Sequence, residues 1–385
     1  MNKNEALTIV ERELSEIIQT ASELVKIPSR NPLGEEKRCA EYIYSKLKEF
    51  GFETYLVKEP FSSRPQVVAL IRGKKENTIL LNGHMDTVPE GDPNSWSVDP
   101  FSGIIKEGFL YGRGSVDMKS SLAIMMHVAK HAKLNGNILL TFAVGEERAE
   151  PGTSTLLSWI KQKFDLKIMY GVVMEPTSLN VATYQKGATW FKIKVKGKAA
   201  HASAPSKGIN AIELAQNLLS IIHEYKNEIA KRSHKFAGEP TCSITMISGG
   251  IKENVIPDYC EVTVDRRLVP GESSHQVEKE VSLMLNKTAL DYELIKLGAR
   301  EPVELSNDST LAKTLHDVLS EMNIQKSTIC FSGATDNEHL IANNIEGLVW
   351  GPGDLSFAHA VDERISTEEI RNASVALLLT LQRLL

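Results

Sequence analysis

Three short apolar runs, each ending abruptly in a cluster of His, Asp or Glu, constrain this chain more than any other feature. NTILLN opens into GHMDTVP, with His84 and Asp86. NILLTFAV opens into GEERAEPGT, with Glu146 and Glu147. YGVVM opens into EPTS, with Glu175. Together with QVVALI these runs are rich in Val, Ile and Leu, and helical stretches such as Met118–Lys133 and Thr153–Lys163 lie between some of them. Continuous apolar runs alternating with helices are what strands buried on both faces look like, so the reading is an α/β domain with a largely buried sheet. In open sheets of that kind, ligands bind beyond the carboxyl ends of the strands. One acidic loop there would be only a solvated loop. Three strands delivering His or carboxylate to one end of a sheet point to a site.

Helices flank this region. Val10, Leu14, Ile17, Ala21, Leu24 and Val25 recur at helical spacing, and a second helix is expected from Glu36 to Phe50, stopped by Gly51. The pattern changes after Lys186. TWFKIKVKG alternates apolar and polar, as a half-exposed strand does, and a helix from Ile209 to Glu228 follows. Strands TCSITMI and CEVTVDRRL, a helix over Ser274–Leu285 and a strand DYELIKL complete a β-α-β-β-α-β order, the ferredoxin-like arrangement, with one sheet face packed by helices and one open. The chain then returns to α/β character and ends in a helix, Thr367–Leu385. A length of 385 residues suits two domains. The expected organisation is a catalytic domain over 1–185 and 300–385, interrupted by an inserted domain over 186–299.

Charge and cysteine usage narrow the chemistry. The formal net charge is -5 and no long basic run appears, which argues against nucleic acid and anionic membranes as partners. There is no apolar run long enough to span a bilayer, and the first residues are too acidic for a signal peptide, so a cytoplasmic location is expected. Cys39, Cys242, Cys260 and Cys330 lie far apart without a C-x-x-C pair, so any metal must be held by His, Asp and Glu. Two further segments supply such groups: Asp117 in GRGSVDMKSS, just before a helix, and His359 in the Gly-rich GPGDLSFAHAVDE. The resulting set is His84, Asp117, Glu147, Glu175 and His359. One His and one Glu for each of two Zn²⁺, with Asp117 between them, leaves room for water at a catalytic site. Metal binding lowers the pKa of water to about 7. Glu146 is then free to act as general base, and Asp86 to orient the His84 imidazole from behind. His127 and His131 stand at i,i+4 spacing but lack the Glu of H-E-x-x-H and read as a helix surface. A dinucleotide-binding reading fails because Gly112-Arg113-Gly114 lacks the third glycine.

GHMDTVP, GRGSVDMKSS, GEER, MEPT and GPG…AHAVDE, in this order along essentially the whole chain, resemble the dinuclear zinc deacylases and exopeptidases. That family includes acetylornithine deacetylase, succinyl-diaminopimelate desuccinylase, aminoacylases and a glutamate-releasing carboxypeptidase. The resemblance implies a zinc-exopeptidase-like catalytic domain with an inserted dimerisation and lid domain. It implies that His84 and Glu175 hold one zinc, and Glu147 and His359 the other, with Asp117 bridging and Glu146 as base. Two Zn²⁺ per subunit are expected, Co²⁺ able to substitute. It further implies a homodimer through the open sheet face of the inserted domain, and a His201 in GKAAHASAP that reaches an active site, often the partner's, and helps stabilise the oxyanion. A small carboxylate-bearing substrate would be read by Asn254 of KENVIPD, by Arg267 in the family's Asp-x-Arg pattern, and by the Gly333–Ala334–Thr335 loop, where the family often has glycine in place of Ala334. Glu at position 175, common among the family's deacylases, favours hydrolysis of N-acyl amino acids, with a zinc dipeptidase or carboxypeptidase as the alternative.

Overall fold

The computed structural model describes residues 1–132 and 135–385. The chain divides into two compact units. Unit 1 comprises Met1–Thr183, Leu305–Ile329 and Thr335–Leu385; unit 2 comprises Tyr184–Glu304 and Cys330–Ala334.

The sheet of unit 1 runs Glu53–Val57, Gln66–Ile71, Asn137–Ala143, Asn77–His84, Lys167–Val173, Glu346–Val349. Asn77–His84 lies parallel to both Asn137–Ala143 and Lys167–Val173, and Glu346–Val349 is parallel to Lys167–Val173. The Val/Ile/Leu runs are therefore the inner strands: every residue of Asn137–Ala143, and all but the first of Asn77–His84, is buried. Burying each Leu, Ile or Val side chain contributes about 1.5–3 kcal/mol, which is what holds these strands in register. Register decides the site. His84 pairs with Ala143, and Asn82 with Val173, so three strands end side by side and the residues that follow them emerge at one edge.

Helix Ser120–His131 packs on Asn77–His84 and Asn137–Ala143 and against helices Lys3–Val25 and Thr367–Leu384. Being enclosed on several sides, it is apolar nearly all round, and the surface reading of His127 is corrected. His127 is buried, its Nε2 2.9 Å from Thr20 Oγ1 and its Nδ1 3.4 Å from Glu13, and Phe50 meets its ring edge-on. His131 reaches the same Glu13 carboxylate at 3.1 Å. The expected start of this helix at Met118 is also corrected. Asp117 (φ -121°, ψ 92°) and Met118 (φ -136°, ψ 31°) are non-helical and the regular helix begins at Ser120. The expected end at Lys133 lies outside the described residues.

In unit 2, Gly187–Lys196, helix Ala211–Ile229, Thr241–Gly249, Tyr259–Leu268, helix Ser274–Asn286 and Tyr292–Arg300 follow the β-α-β-β-α-β order. The antiparallel sheet runs Thr241–Gly249, Tyr259–Leu268, Gly187–Lys196, Tyr292–Arg300. Tyr259–Leu268 alternates half-buried and buried residues along its whole length, and the buried set, Cys260, Val262 and Val264, packs with Leu218 and Ile222 of one helix and Val277 and Val281 of the other.

Candidate metal centre

The loops after the three parallel strands, with two more from the same unit, bring five side chains together. His84 is the last residue of its strand; its Nε2 lies 3.0 Å from Asp117 Oδ1 and 3.5 Å from Glu175 Oε1. His359 Nε2 lies 3.1 Å from Glu147 Oε1 and 3.3 Å from Asp117 Oδ2. Asp117 thus turns one oxygen to each imidazole, with Glu175 on one side and Glu147 on the other. Ligand atoms of His84, Asp117 and Glu147 all lie within 4.8 Å of one another, and so do those of His84, Glu146 and Glu175.

The electrostatics favour positive charge at this centre. Burial raises the carboxyl pKa of Glu175, and the Asp117 charge adds to it. Glu147 is raised by the same two causes, against the hydrogen bond from His359. Burial would also raise Asp117, but hydrogen bonds from His359 and His84 outweigh it and hold its pKa below the usual range. His84 is opposed by burial yet held well above its ordinary value by Glu175 and Asp117. Hydrogen bonds to Asp117 and Glu147 push His359 up to about 10. Without metal, the raised values favour protons on both histidines and on Glu147 and Glu175, which partly offset the charge of the three carboxylates. Three carboxylates and two imidazoles with no cysteine are the donor set of a two-ion zinc-type site, so the residues fit such ions.

Support behind these groups is specific. His84 Nδ1 lies 2.9 Å from the main-chain oxygen of Asp86, an acceptor that keeps a proton on Nδ1, so that in the neutral ring, which a metal would need, the lone pair is on Nε2. The Asp86 carboxylate stands farther off, at 3.6 Å. Its hydrogen bonds go elsewhere, to N–H groups of Gly145 (2.9 Å), Glu146 (3.3 Å) and Glu147 (3.2 Å) and to the Asn31 amide (3.0 Å). Asp86 therefore touches the imidazole through its carbonyl, and its side chain fixes the loop that carries both glutamates. Sequence reasoning missed this second task, and it missed Asn31 entirely.

The remaining candidates fall differently. His201 and Asn254 meet in unit 2: Ala200–His201 pairs with Val255–Ile256, and Ala202 N–H donates to the Asn254 carbonyl at 3.0 Å. His201 is exposed, and its Nδ1 accepts from Ser203 N–H at 3.1 Å, which leaves the proton of a neutral ring on Nε2. Arg267, also in unit 2, is gripped by Asp265 through Nε (2.8 Å) and Nη2 (3.0 Å), and Trp190 Nε1–H donates to the same carboxylate at 2.8 Å. Its neighbour Arg266 faces the opposite way, fully buried, and pairs with Glu272 at 2.5 Å. Gly333 and Ala334 belong to unit 2 and the buried Thr335 to unit 1. Buried Glu363, beside His359 in sequence, was also missed; it accepts N–H groups from the segment that carries Asp117.

With this geometry in hand, the sequence profile of Peptidase family M20/M25/M40 matches residues 80–383. The chain belongs to this family. It is an M20 metallohydrolase, and the α/β reading of its fold holds. An uncharacterized metallohydrolase of Methanocaldococcus jannaschii is 29% identical over 403 residues, covering 93% of this chain and 96% of that protein. A probable succinyl-diaminopimelate desuccinylase of Staphylococcus epidermidis is 28% identical over 383 residues, covering 90% and 92%. Among solved structures, an M20 family metallo-carboxypeptidase of Sulfolobus solfataricus superposes with a TM-score of 0.81 at 21% identity, covering 96% of this chain and 100% of that one. Among the described residues, no helix is long and apolar enough to cross a membrane.

Proposed function

We propose that this M20 metallohydrolase is a dinuclear zinc deacylase that cleaves the amide bond of small N-acyl amino acids. The observation that carries the reading is the convergence of His84, Asp117, Glu147, Glu175 and His359, with the Glu146 carboxylate beside them. His84 and Glu175 would hold one Zn²⁺, Glu147 and His359 the other, and Asp117 would bridge. The ions would polarise the scissile carbonyl and lower the pKa of water to about 7. Glu146 takes the proton of the attacking water and returns it to the leaving amine. His201, from this chain or from a second copy, donates Nε2–H to the oxyanion. Asn254 and the Gly333–Thr335 loop contribute further polar contacts to the substrate. The desuccinylase name of the staphylococcal relative and the glutamate at position 175 support deacylation. A dipeptidase or carboxypeptidase is the second reading, favoured by the name of the Sulfolobus structure. A panel of N-acetyl and N-succinyl amino acids against dipeptides tests the choice. Turnover confined to dipeptides would replace deacylation by the second reading.

Arg267 is assigned to the substrate carboxylate. Asp265 occupies its Nε–Nη2 edge, which leaves the Nη1–Nη2 end of the fork to grip a second carboxylate bidentately. Removing the fork should cost on the order of 2–5 kcal/mol in transition-state binding, roughly thirtyfold or more in kcat/KM. Lys at 267 should rescue little. Arg267→Ala and the unmodified enzyme should handle a substrate with an amidated carboxylate about equally poorly. An equal slowing of both substrates by the mutation would assign Arg267 to the fold.

Unit 2 is proposed to form a homodimer, and beside the open sheet face expected for this contact its edge strand offers a second apolar surface. Thr241–Gly249 is an edge strand on which Ile244, Met246 and Ile247 are exposed, at 42%, 68% and 55%. An uncovered apolar edge is an aggregation hazard unless another chain pairs with it. Light scattering at micromolar concentration should give twice the chain mass; a monomer refutes the dimer.

A further inference from the structure

We infer that Glu363 is a positioning residue that locks the loop of Asp117 to the loop of His359 and so sets the geometry of the metal centre. This rests on the reading that Asp117 and His359 are metal ligands. Glu363 is 1% exposed and spends both carboxylate oxygens on the segment before and at Asp117. Oε1 accepts from the N–H groups of Val116 (2.9 Å) and Asp117 (3.2 Å). Oε2 accepts from Gly114 N–H (3.0 Å) and Arg113 Nη1 (2.7 Å). The Glu363 carbonyl accepts from Gly112 N–H at 2.9 Å. Arg113 closes the connection: its Nη2 donates to the His359 carbonyl at 3.4 Å, and Trp96 lies under its guanidinium with the ring centroid 5.2 Å away.

Neither loop is held in place by regular structure. Asp117 and Met118 are non-helical, and the other loop turns through left-handed residues at His359 (φ 61°) and Asp362 (φ 57°). Such conformations persist only where their surroundings fix them. The strand that follows, Arg364–Ser366, pairs with Phe109–Tyr111, which leads into Gly112, so the two loops leave one small sheet side by side. Glu363 sits where they part. The clamp matters to the metals because Asp117 must aim one oxygen at each of two sites, 3.0 Å from His84 and 3.3 Å from His359. A charged acceptor of several backbone N–H groups is among the stronger hydrogen-bonding arrangements available. Glutamine in its place would turn an NH₂ donor toward N–H donors or toward Arg113, and would leave Arg113 buried without its counter-ion.

The test is metal titration of purified Glu363→Gln and Arg113→Lys beside the unmodified protein, by calorimetry with Zn²⁺ and by the absorption spectrum with Co²⁺. Unfolding of each metal-free protein is measured in parallel. Groups behind metal ligands typically contribute 10- to 100-fold in affinity. Glu363→Gln should weaken metal binding by that factor and alter the Co²⁺ spectrum at saturation, with occupancy recovered at high metal. Arg113→Lys keeps the charge opposite Glu363 but loses the fork to the His359 carbonyl. It should shift affinity in the same direction by less, and it decides the matter if Glu363→Gln does not fold. A lower unfolding temperature with metal affinity and spectrum unchanged would reduce Glu363 to fold support and overturn the inference. If the unmodified protein itself binds no divalent metal, the ligand reading fails first and takes this inference with it.

Discussion

Glu146→Ala should lower kcat by on the order of 10²- to 10⁴-fold while leaving the metal content intact. Glu147→Ala should instead lose one of the two ions. The contrast is informative because geometry alone permits the opposite assignment: Glu146 stands with His84 and Glu175 in a group compact enough to hold an ion. Charge favours the assignment made here. Asp117, Glu147 and Glu175 already offset three of the four charges of two divalent ions, and a hydroxide between the ions would offset the fourth, so that a further carboxylate ligand is not needed. The loop is built to separate adjacent glutamates. Gly145 is left-handed (φ 78°), and the Asp86 carboxylate pins three consecutive N–H groups from Gly145 to Glu147. With the backbone fixed, the two side chains can serve different tasks. Elemental analysis of both variants measures this. Loss of metal from Glu146→Ala with full occupancy in Glu147→Ala would exchange the two roles.

Four residues at this centre were legible in sequence because each stands next to a strong local signal, whereas Asp117 and His359 stand in loops without one. His84, Glu146, Glu147 and Glu175 follow apolar runs that could only be inner strands, and parallel pairing of those runs forces their ends together. The alternation in Tyr259–Leu268 likewise fixes which of Arg266 and Arg267 is buried, since neighbours on a strand face opposite sides. What supports these residues was not legible. Glu363 and Asp86 act by accepting backbone N–H groups, and any carboxylate in a loop has the same appearance in a sequence. The start of the helix after Asp117 was misplaced as well, and the acceptor of the Val116 and Asp117 N–H groups lies far along the chain at Glu363. His127 was misread because a helix enclosed on several faces can bury a histidine, and its partners Thr20 and Glu13 come from a helix more than a hundred residues earlier.

Removing divalent metal should abolish hydrolysis, Zn²⁺ or Co²⁺ should restore it, and rebinding should release protons. In the metal-free protein His359 is pushed up to about 10 by hydrogen bonds to Asp117 and Glu147. Burial opposes a charge on His84, but Glu175 and Asp117 hold it well above its ordinary value. Without metal, His359 is therefore doubly protonated at neutral pH, and the surroundings of His84 favour its protonated form. A metal takes the neutral ring, so each His must give up its proton as an ion binds. Burial and the Asp117 charge raise Glu175 and Glu147, and any proton either one carries must leave as well. The sign follows: ions and protons compete for the same five side chains, so apparent metal affinity should fall as pH falls through the neutral range. Calorimetry in buffers of different ionisation enthalpy measures the released protons directly. The metal-bound form should also be harder to unfold, by about 2.7 kcal/mol when free metal is a hundred times the dissociation constant. Hydrolysis at full rate in protein shown to be metal-free would sink the dependence on metal. Binding without proton release would show that the imidazoles are already neutral, and that something other than protons balances the three carboxylates before the metals arrive.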